Sequence, residues 1–270
     1  MKLIKKSPAK SLAPFVKQLW VMDILPADLP YSQLYFPYGS FELIYYVHNP
    51  GIMQYIGSAE TFSQPSLFYT GQFTKPFFLR FDKPCKCFGI SFKPWAGNLL
   101  YNIPSKEFTN SMVPVDDLDR DDELSNKLML LQNNEDIFSL LERYVLKKIV
   151  TSNMDEASAA IAQSIINNTS TSDVNEIIAA IGLSRRRIEQ RFLASTGLTI
   201  GAFNNKIRFQ KATFLLQNNF TGESLTQLGY EAGYYDQSHF ISEFKKYAAV
   251  TPSIFSKQKT ELKDFISSLL

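Results

Sequence analysis

The sequence predicts an α+β multidomain chain. An N-terminal antiparallel β barrel or sandwich is expected over 1–114, a helical connector over 115–152, and an all-α part over 153–270 with two helix-turn-helix units. Three observations predict it. Residues 1 to about 110 hold short aromatic and β-branched runs separated by Pro and Gly turns. After Pro114 the apolar residues move to spacings of three and four. In the last third, two stretches each place a short helix, a turn containing glycine, and a second helix with a polar outer face.

Length and composition bound the reading. A chain of 270 residues holds two ordinary domains, and 45% hydrophobic with 20% charged residues is a normal globular composition. No stretch approaches the roughly 20 apolar residues of a membrane span. The start, Met1-Lys2-Leu3-Ile4-Lys5-Lys6-Ser7-Pro8, is basic but has no apolar segment or cleavage site, so no signal peptide is expected. The two cysteines, Cys85 and Cys87, are too close together to staple a fold. A cytoplasmic protein without membrane contact is expected.

In the N-terminal part, Phe41–Val47 and Cys87–Phe92 read as strands, punctuated by Pro-Tyr-Gly, Asn-Pro-Gly and Lys-Pro turns. Of the first 110 residues, 22 are Phe, Tyr or Trp. That supports a dense core, with or without an apolar ligand pocket. Side chains alternate along a strand, so Cys85 and Cys87 share a face. They read as two small core hydrophobes, with thiol sensing as the alternative.

The acidic run 115–123 leads into a helix carrying Leu124, Leu128 and Leu131. Asp136 to Val150 is a second amphipathic helix, striped by Ile137, Leu140, Leu141, Tyr144 and Val145 and edged by Lys148. Thr151-Ser152-Asn153 is the expected boundary.

Asp155 to Asn167 forms the first C-terminal helix. Asp173 and Glu176 have capping-box spacing and open a helix over Val174–Ile181, which Gly182 ends. Ser184 caps the next helix, through Ser195. On a helical wheel Ile188, Phe192 and Ser195 face the core, while Arg186 and Gln190 fall opposite, flanked by Arg187 and Glu189. Arg186 can pair bidentately with guanine and Gln190 with adenine, and Glu189 can accept from cytosine. Arg185 lies toward the core edge, suited to a backbone phosphate.

Thr199 caps a long helix from Ile200 to about Asn218, with Phe203, Ile207, Gln210, Phe214 and Leu215 as its apolar stripe. Ser224 and Gln227 make a second capping box, opening a helix over Leu225–Ala232. Gly233 turns the chain, and Asp236 caps a helix with Phe240, Phe244 and Tyr247 inward and Ser238, Ser242 and Lys245 outward. Thr251-Pro252 starts a final helix. A helix of roughly 28 Å between the two units suits the ~34 Å recurrence of the major groove. The bulk charge is only +2, but from Ser184 to Gln258 ten Lys/Arg stand against five Asp/Glu. That is a surface suited to phosphates.

These residues resemble the AraC/XylS family of bacterial transcription regulators. The matching elements are Ile181-Gly182-Leu183-Ser184, Thr196-Gly197-Leu198-Thr199, Ile207-Arg208, Leu228-Gly229-Tyr230-Glu231-Ala232-Gly233-Tyr234, Gln237-Ser238-His239-Phe240, Phe244-Lys245-Lys246-Tyr247 and Thr251-Pro252. The resemblance implies a sequence-specific reader of double-stranded DNA. Arg186, Glu189 and Gln190 would read one half-site. Gln237, Ser238, His239 and Ser242 would read the other, with Lys245 and Lys246 near phosphates. Three positions depart from the pattern. Ile200 replaces the proline that starts the long helix, Ala248-Ala249 replaces a turn glycine, and Gln190 replaces an arginine.

More weakly, Phe15 with Trp20, Phe36-Pro37-Tyr38-Gly39 leading to Glu42-Leu43-Ile44, and Gly89–Pro94 resemble the small β domains that precede such readers. The resemblance implies a small effector or a homodimer contact there.

The chain has only two histidines, His48 and His239, too few for a histidine-rich metal centre, so no metal or cofactor is expected. No nucleophile elbow, phosphate loop or dinucleotide fingerprint occurs. The competing classes are a β-barrel enzyme with accessory helices and a protein-binding adaptor; absent DNA affinity would favour the adaptor.

Overall fold

The computed structural model describes residues 1–37, 39–120, 123–149, 153–167, 171–218 and 222–257. Asp121, Asp122, Thr151, Ser152 and Tyr38 fall outside that set, as do the side chains of Asp173 and Val174.

Among the described residues the N-terminal part carries ten strands: β1 (Lys2–Lys6), β2 (Val16–Ile24), β3 (Tyr31–Tyr35), β4 (Phe41–His48), β5 (Ile52–Tyr55), β6 (Phe62–Ser63), β7 (Leu67–Thr70), β8 (Phe77–Phe81), β9 (Cys85–Phe92) and β10 (Met112–Pro114). They form two sheets with antiparallel pairing throughout. One is six-stranded, in the order β1-β2-β9-β4-β7-β10, and the other four-stranded, in the order β3-β8-β5-β6. Of the expected alternatives the sandwich holds and the barrel does not, because the strands do not close into one sheet.

Alternation explains the layering. On β4, Phe41, Leu43 and Tyr45 enter one core, while Ile44 and Tyr46 enter the other. The first core lies against helices. Here α1 (Val115–Leu118), α2 (Leu124–Met129) and α3 (Asn134–Ile149) cover the six-stranded sheet, burying Leu124, Leu128, Ile137, Leu141 and Val145 against Phe88 and Ile90. The stretch expected as a connector is therefore a packed layer. The second core lies between the sheets. Trp20 approaches so closely there that a Cβ at Gly89 would sit 2.1 Å from its ring. Cys85 and Cys87 share this inner face, both buried and not joined by a disulfide, and burial pushes the Cys87 thiol up. Two buried thiols, with that of Cys87 held protonated, pack as small core hydrophobes.

The C-terminal part is all helix: α4 (Glu156–Ile166), α5 (Thr171–Ala180), α6 (Arg185–Thr196), α7 (Ile200–Gln217), α8 (Leu225–Glu231), α9 (Gln237–Ala248) and α10 (Pro252–Lys257). Helix α5 begins two residues before Asp173, so that residue lies within the first turn and is not the cap. An acid is favourable in a first turn as well, which is why the spacing misled.

Helix α7 differs most from expectation. Phe203 is buried as expected, but Phe214 is 49% exposed, and Lys206, Phe209, Ala212, Thr213 and Leu216 are buried instead. A single amphipathic stripe does not describe a helix with neighbours on several sides. The Phe203 end packs into a core with α4 and α6. The Phe209 end packs into a core with α8, α9 and α10.

Candidate nucleic-acid interface

Local chemistry sets both helix-turn-helix units. Ser184 accepts from the Arg187 amide (3.4 Å) and starts α6, while Asp236 accepts from the His239 amide (2.8 Å) and starts α9. Ser224 and Gln227 form the reciprocal capping box of α8, and Thr199 accepts from the Ala202 amide at the start of α7. The proline that α7 lacks is thus not needed. The turns use Gly182 (φ 69°) and Gly233 (φ 89°).

Ala249, standing where a glycine is usual, is itself left-handed, with φ 61° and ψ −2°. That conformation strains an L-residue by about 1 kcal/mol. Ala249→Gly is therefore expected to raise the unfolding free energy by about 1 kcal/mol, with chemical denaturation as the measurement; an unchanged midpoint would contradict the strain.

The inward faces are as expected. Ile188, Phe192 and Ser195 are buried on α6, and Phe240, Phe244 and Tyr247 on α9. Outward, Ser184, Arg185, Arg186, Arg187 and Gln190 are exposed on α6, and Gln237, Ser238, Ser242, Lys245 and Lys246 on α9. His239 is half-buried, its ring edge-on to Tyr234 at 5.5 Å. Glu189 is half-buried too and accepts, at 3.4 Å, from the Ile200 amide at the start of α7. Its carboxylate ties the two helices together beside the exposed face of α6.

The three arginines occupy the first turn of α6, where backbone N–H groups already carry the positive end of the helix dipole. A phosphate placed there relieves that like-charge crowding. Tyr235, just before α9, is 86% exposed and was not singled out from sequence. Its signal is a bare aromatic beside the polar face of α9, able to donate its hydroxyl to an anion.

Not every basic residue of this region leaves its charge open at the surface. Arg191 forms a bidentate pair with Asp155, the cap of α4, with both contacts at 2.8 Å. Lys206 is only 2% exposed, and its Nζ donates to Gln72 Oε1 and to the Phe73 carbonyl, both at 2.9 Å. The local positive charge is therefore smaller at the surface than residue counting suggests.

Lys206 belongs to a seam joining the helical part to the β sandwich. The last carbonyls of α6 would otherwise lack partners. Instead Ser105 donates to Ser195 O (2.6 Å), Gln72 to Thr196 O (2.6 Å) and Thr109 to Gly197 O (3.3 Å). Each helix-turn-helix core also takes in one N-terminal aromatic. Trp95 packs with Ile161, Phe192 and Phe203, and Phe36 with Phe209 and Phe255.

Burial pulls the Lys206 pKa down to about 7. The unfolded chain then binds more protons than the folded one between about pH 7 and 10.5, so this residue makes stability rise with pH across that window. Comparing wild type with Lys206→Met cancels the contributions of Cys87 and the buried tyrosines. The wild type is expected to gain on the variant by up to about 1.4 kcal/mol per pH unit inside the window. Parallel stability curves would contradict the buried, neutralised amine.

Between the two sheets lies a cleft of about 940 Å³, counting the space open to solvent. Trp20, Tyr46, Phe68 and Phe77 line it, with Glu42 on its wall. Glu42 Oε1 accepts from Ser91 Oγ (2.7 Å), which accepts from the Trp20 indole (3.1 Å). Phe36, Gly71 and Phe73 line the same cleft, so its rim is built from the segments that form the seam.

Among the described residues, no group of three or more His, Cys, Asp and Glu is placed to hold a metal. None of the described helices is long and apolar enough to cross a membrane.

Comparison with known proteins matches residues 177–258 to a helix-turn-helix domain family and residues 5–114 to a domain of unknown function. The regulator MtrA of Neisseria gonorrhoeae is 31% identical over 86 residues, 32% of this chain and 28% of that protein. An HTH-type transcriptional regulator of Haemophilus influenzae is 29% identical over 142 residues, 50% of this chain and 44% of its own length. The chain thus spans less than half the length of these relatives. Among solved structures, ToxT of Vibrio cholerae aligns over 90% of this chain and 99% of its own, at 15% identity and a TM-score of 0.46. With the four caps and the paired units in place, residues 177–258 form a helix-turn-helix domain of the matched family, similar in its motifs to the AraC/XylS regulators.

Proposed function

We propose that the chain is a sequence-specific transcription regulator that lays α6 and α9 in adjacent major grooves of double-stranded DNA, in the cytoplasm. One observation carries this: two capped units with exposed polar faces flank α7, whose 18 residues span roughly 27 Å. Arg186 and Gln190 read bases in one half-site, with Glu189 at their side. Gln237, Ser238, His239 and Ser242 read the other. Arg185, Arg187, Lys245 and Lys246 sit against phosphates.

The cleft between the sheets is the effector site in this reading, and the seam is its route to DNA. A ligand displacing Phe36 or Phe73 moves the groups that hold the second unit and α7. Ligand binding then changes DNA affinity only by the difference between its affinities for the two arrangements. Dimerisation, the other role the resemblance implies, would double the reading surface, and sedimentation in the presence of DNA counts the chains.

The test is fluorescence anisotropy against fragments selected from genomic DNA, compared with random DNA over a salt series. Lys245→Ala is expected to weaken both DNAs alike and reduce the salt slope by about one. A loss confined to the selected fragment would contradict the phosphate role.

A further inference from the structure

An aromatic cleft with one acid on its wall is an unusual combination for a site that takes only neutral apolar ligands. Trp20, Tyr35, Tyr46, Phe68 and Phe77 line it, and aromatic rings attract cations. Glu42 is the one Asp, Glu, Lys or Arg among the residues that line the space. Its place on β4 puts it on the inner face with Ile44 and Tyr46, while Phe41 and Leu43 point to the helices.

The Ser91 hydroxyl holds one carboxylate oxygen, and the Trp20 indole holds that serine, so the acid is oriented and not left to wander. Burial pushes the Glu42 carboxyl up, against the opposing pull of the Ser91 and Trp20 hydrogen bonds and of Lys17. A positive charge brought into the cleft works with those groups to favour the ionised form.

The positive groups nearby are not part of the wall. Lys17 lies on β2 outside the lining and acts on Glu42 by its charge, and the Lys206 amine, its pKa lowered by burial, donates to Gln72 and the Phe73 carbonyl behind Gly39. An anionic ligand would meet the like charge of Glu42 with no lysine or arginine lining the space.

We propose that this cleft takes an organic cation, a protonated or quaternary amine on an apolar or aromatic body, with its charge set against Glu42 and its body among the rings. The proposal rests on the reading of the cleft as the effector site and names the class of ligand.

Three matched probes separate the possibilities at pH 7: 2-naphthylmethylamine, 2-naphthylmethanol and 2-naphthoic acid, which share a ring body and differ in charge. Titration calorimetry on the full chain, with quenching of Trp20 as a second readout, gives each affinity. The amine is expected to bind roughly tenfold tighter than the alcohol, a margin in line with an ion pair and ring contacts in a shielded site. Glu42→Gln should erase that margin while leaving the alcohol unchanged, and Glu42→Asp should keep part of it.

Equal or tighter binding of the alcohol or the acid, or a margin that survives in Glu42→Gln, overturns the cation while the effector cleft stands. Absence of heat and quenching with all three probes overturns the cleft as an effector site along with it.

Discussion

Arg186→Ala is expected to cost about 1–3 kcal/mol of affinity for a selected DNA site and much less for random DNA, so that the specificity ratio falls. The expectation comes from position. Arg186 is exposed on α6, in the turn after the Ser184 cap, on the side away from buried Ile188 and Phe192. A planar guanidinium there can donate two parallel hydrogen bonds to a guanine edge, which alanine cannot replace. The same substitution relieves some like-charge crowding among Arg185, Arg186 and Arg187, so the free protein should not be destabilised. Competition anisotropy with the selected and random fragments measures the effect. Equal losses on both would reduce Arg186 to a phosphate contact.

Trp95→Ala is expected to destabilise the protein by about 3–5 kcal/mol, the range for emptying a large aromatic site in a core. Trp95 comes from the short turn after β9, yet it is buried at 7% exposure among residues of α4, α6 and α7. Removing it opens a cavity at the point where the sandwich meets the first helix-turn-helix unit. Circular dichroism during urea unfolding reads the loss, since the remaining tryptophan reports only the cleft. A cost below about 1 kcal/mol would mean that the first unit does not share a core with the sandwich in solution. The substitution should also weaken any effect of a cleft ligand on DNA affinity, because the seam that transmits it is loosened.

The parts of this architecture that were legible in the sequence are those set by neighbours in the chain. Ser184, Thr199, Ser224 with Gln227, and Asp236 all cap the helices they were expected to cap, because a cap needs only a side-chain oxygen within three residues of a free amide. The inward faces of α6 and α9 followed from spacing for the same reason. The left-handed turn at Ala249 was legible as a substitution for glycine.

What was not legible depends on distant residues. Lys206 reads as one more basic residue for DNA until Gln72 and Phe73 are seen to hold its ammonium inside the protein. Phe214 reads as core until α7 is seen to share its faces among several partners. Trp95 and Phe36 read as β-domain core residues, and nothing in their local pattern shows that each completes a helical core far along the chain. Strand alternation fits a barrel and a sandwich equally, so sheet closure was open until the pairing was known. The outer faces of α6 and α9, exposed apart from half-buried Glu189 and His239, followed from helical spacing as directly as the inner ones.

The central claim is that two helices of one chain read neighbouring major grooves. Hydroxyl-radical footprinting of the full chain on a selected genomic fragment tests it most directly. The account predicts two protected patches about 10 base pairs apart on one face of the duplex, with the patch over one half-site weakened by Arg186→Ala and the other retained. A single patch, or uniform protection without a preferred fragment, would contradict it.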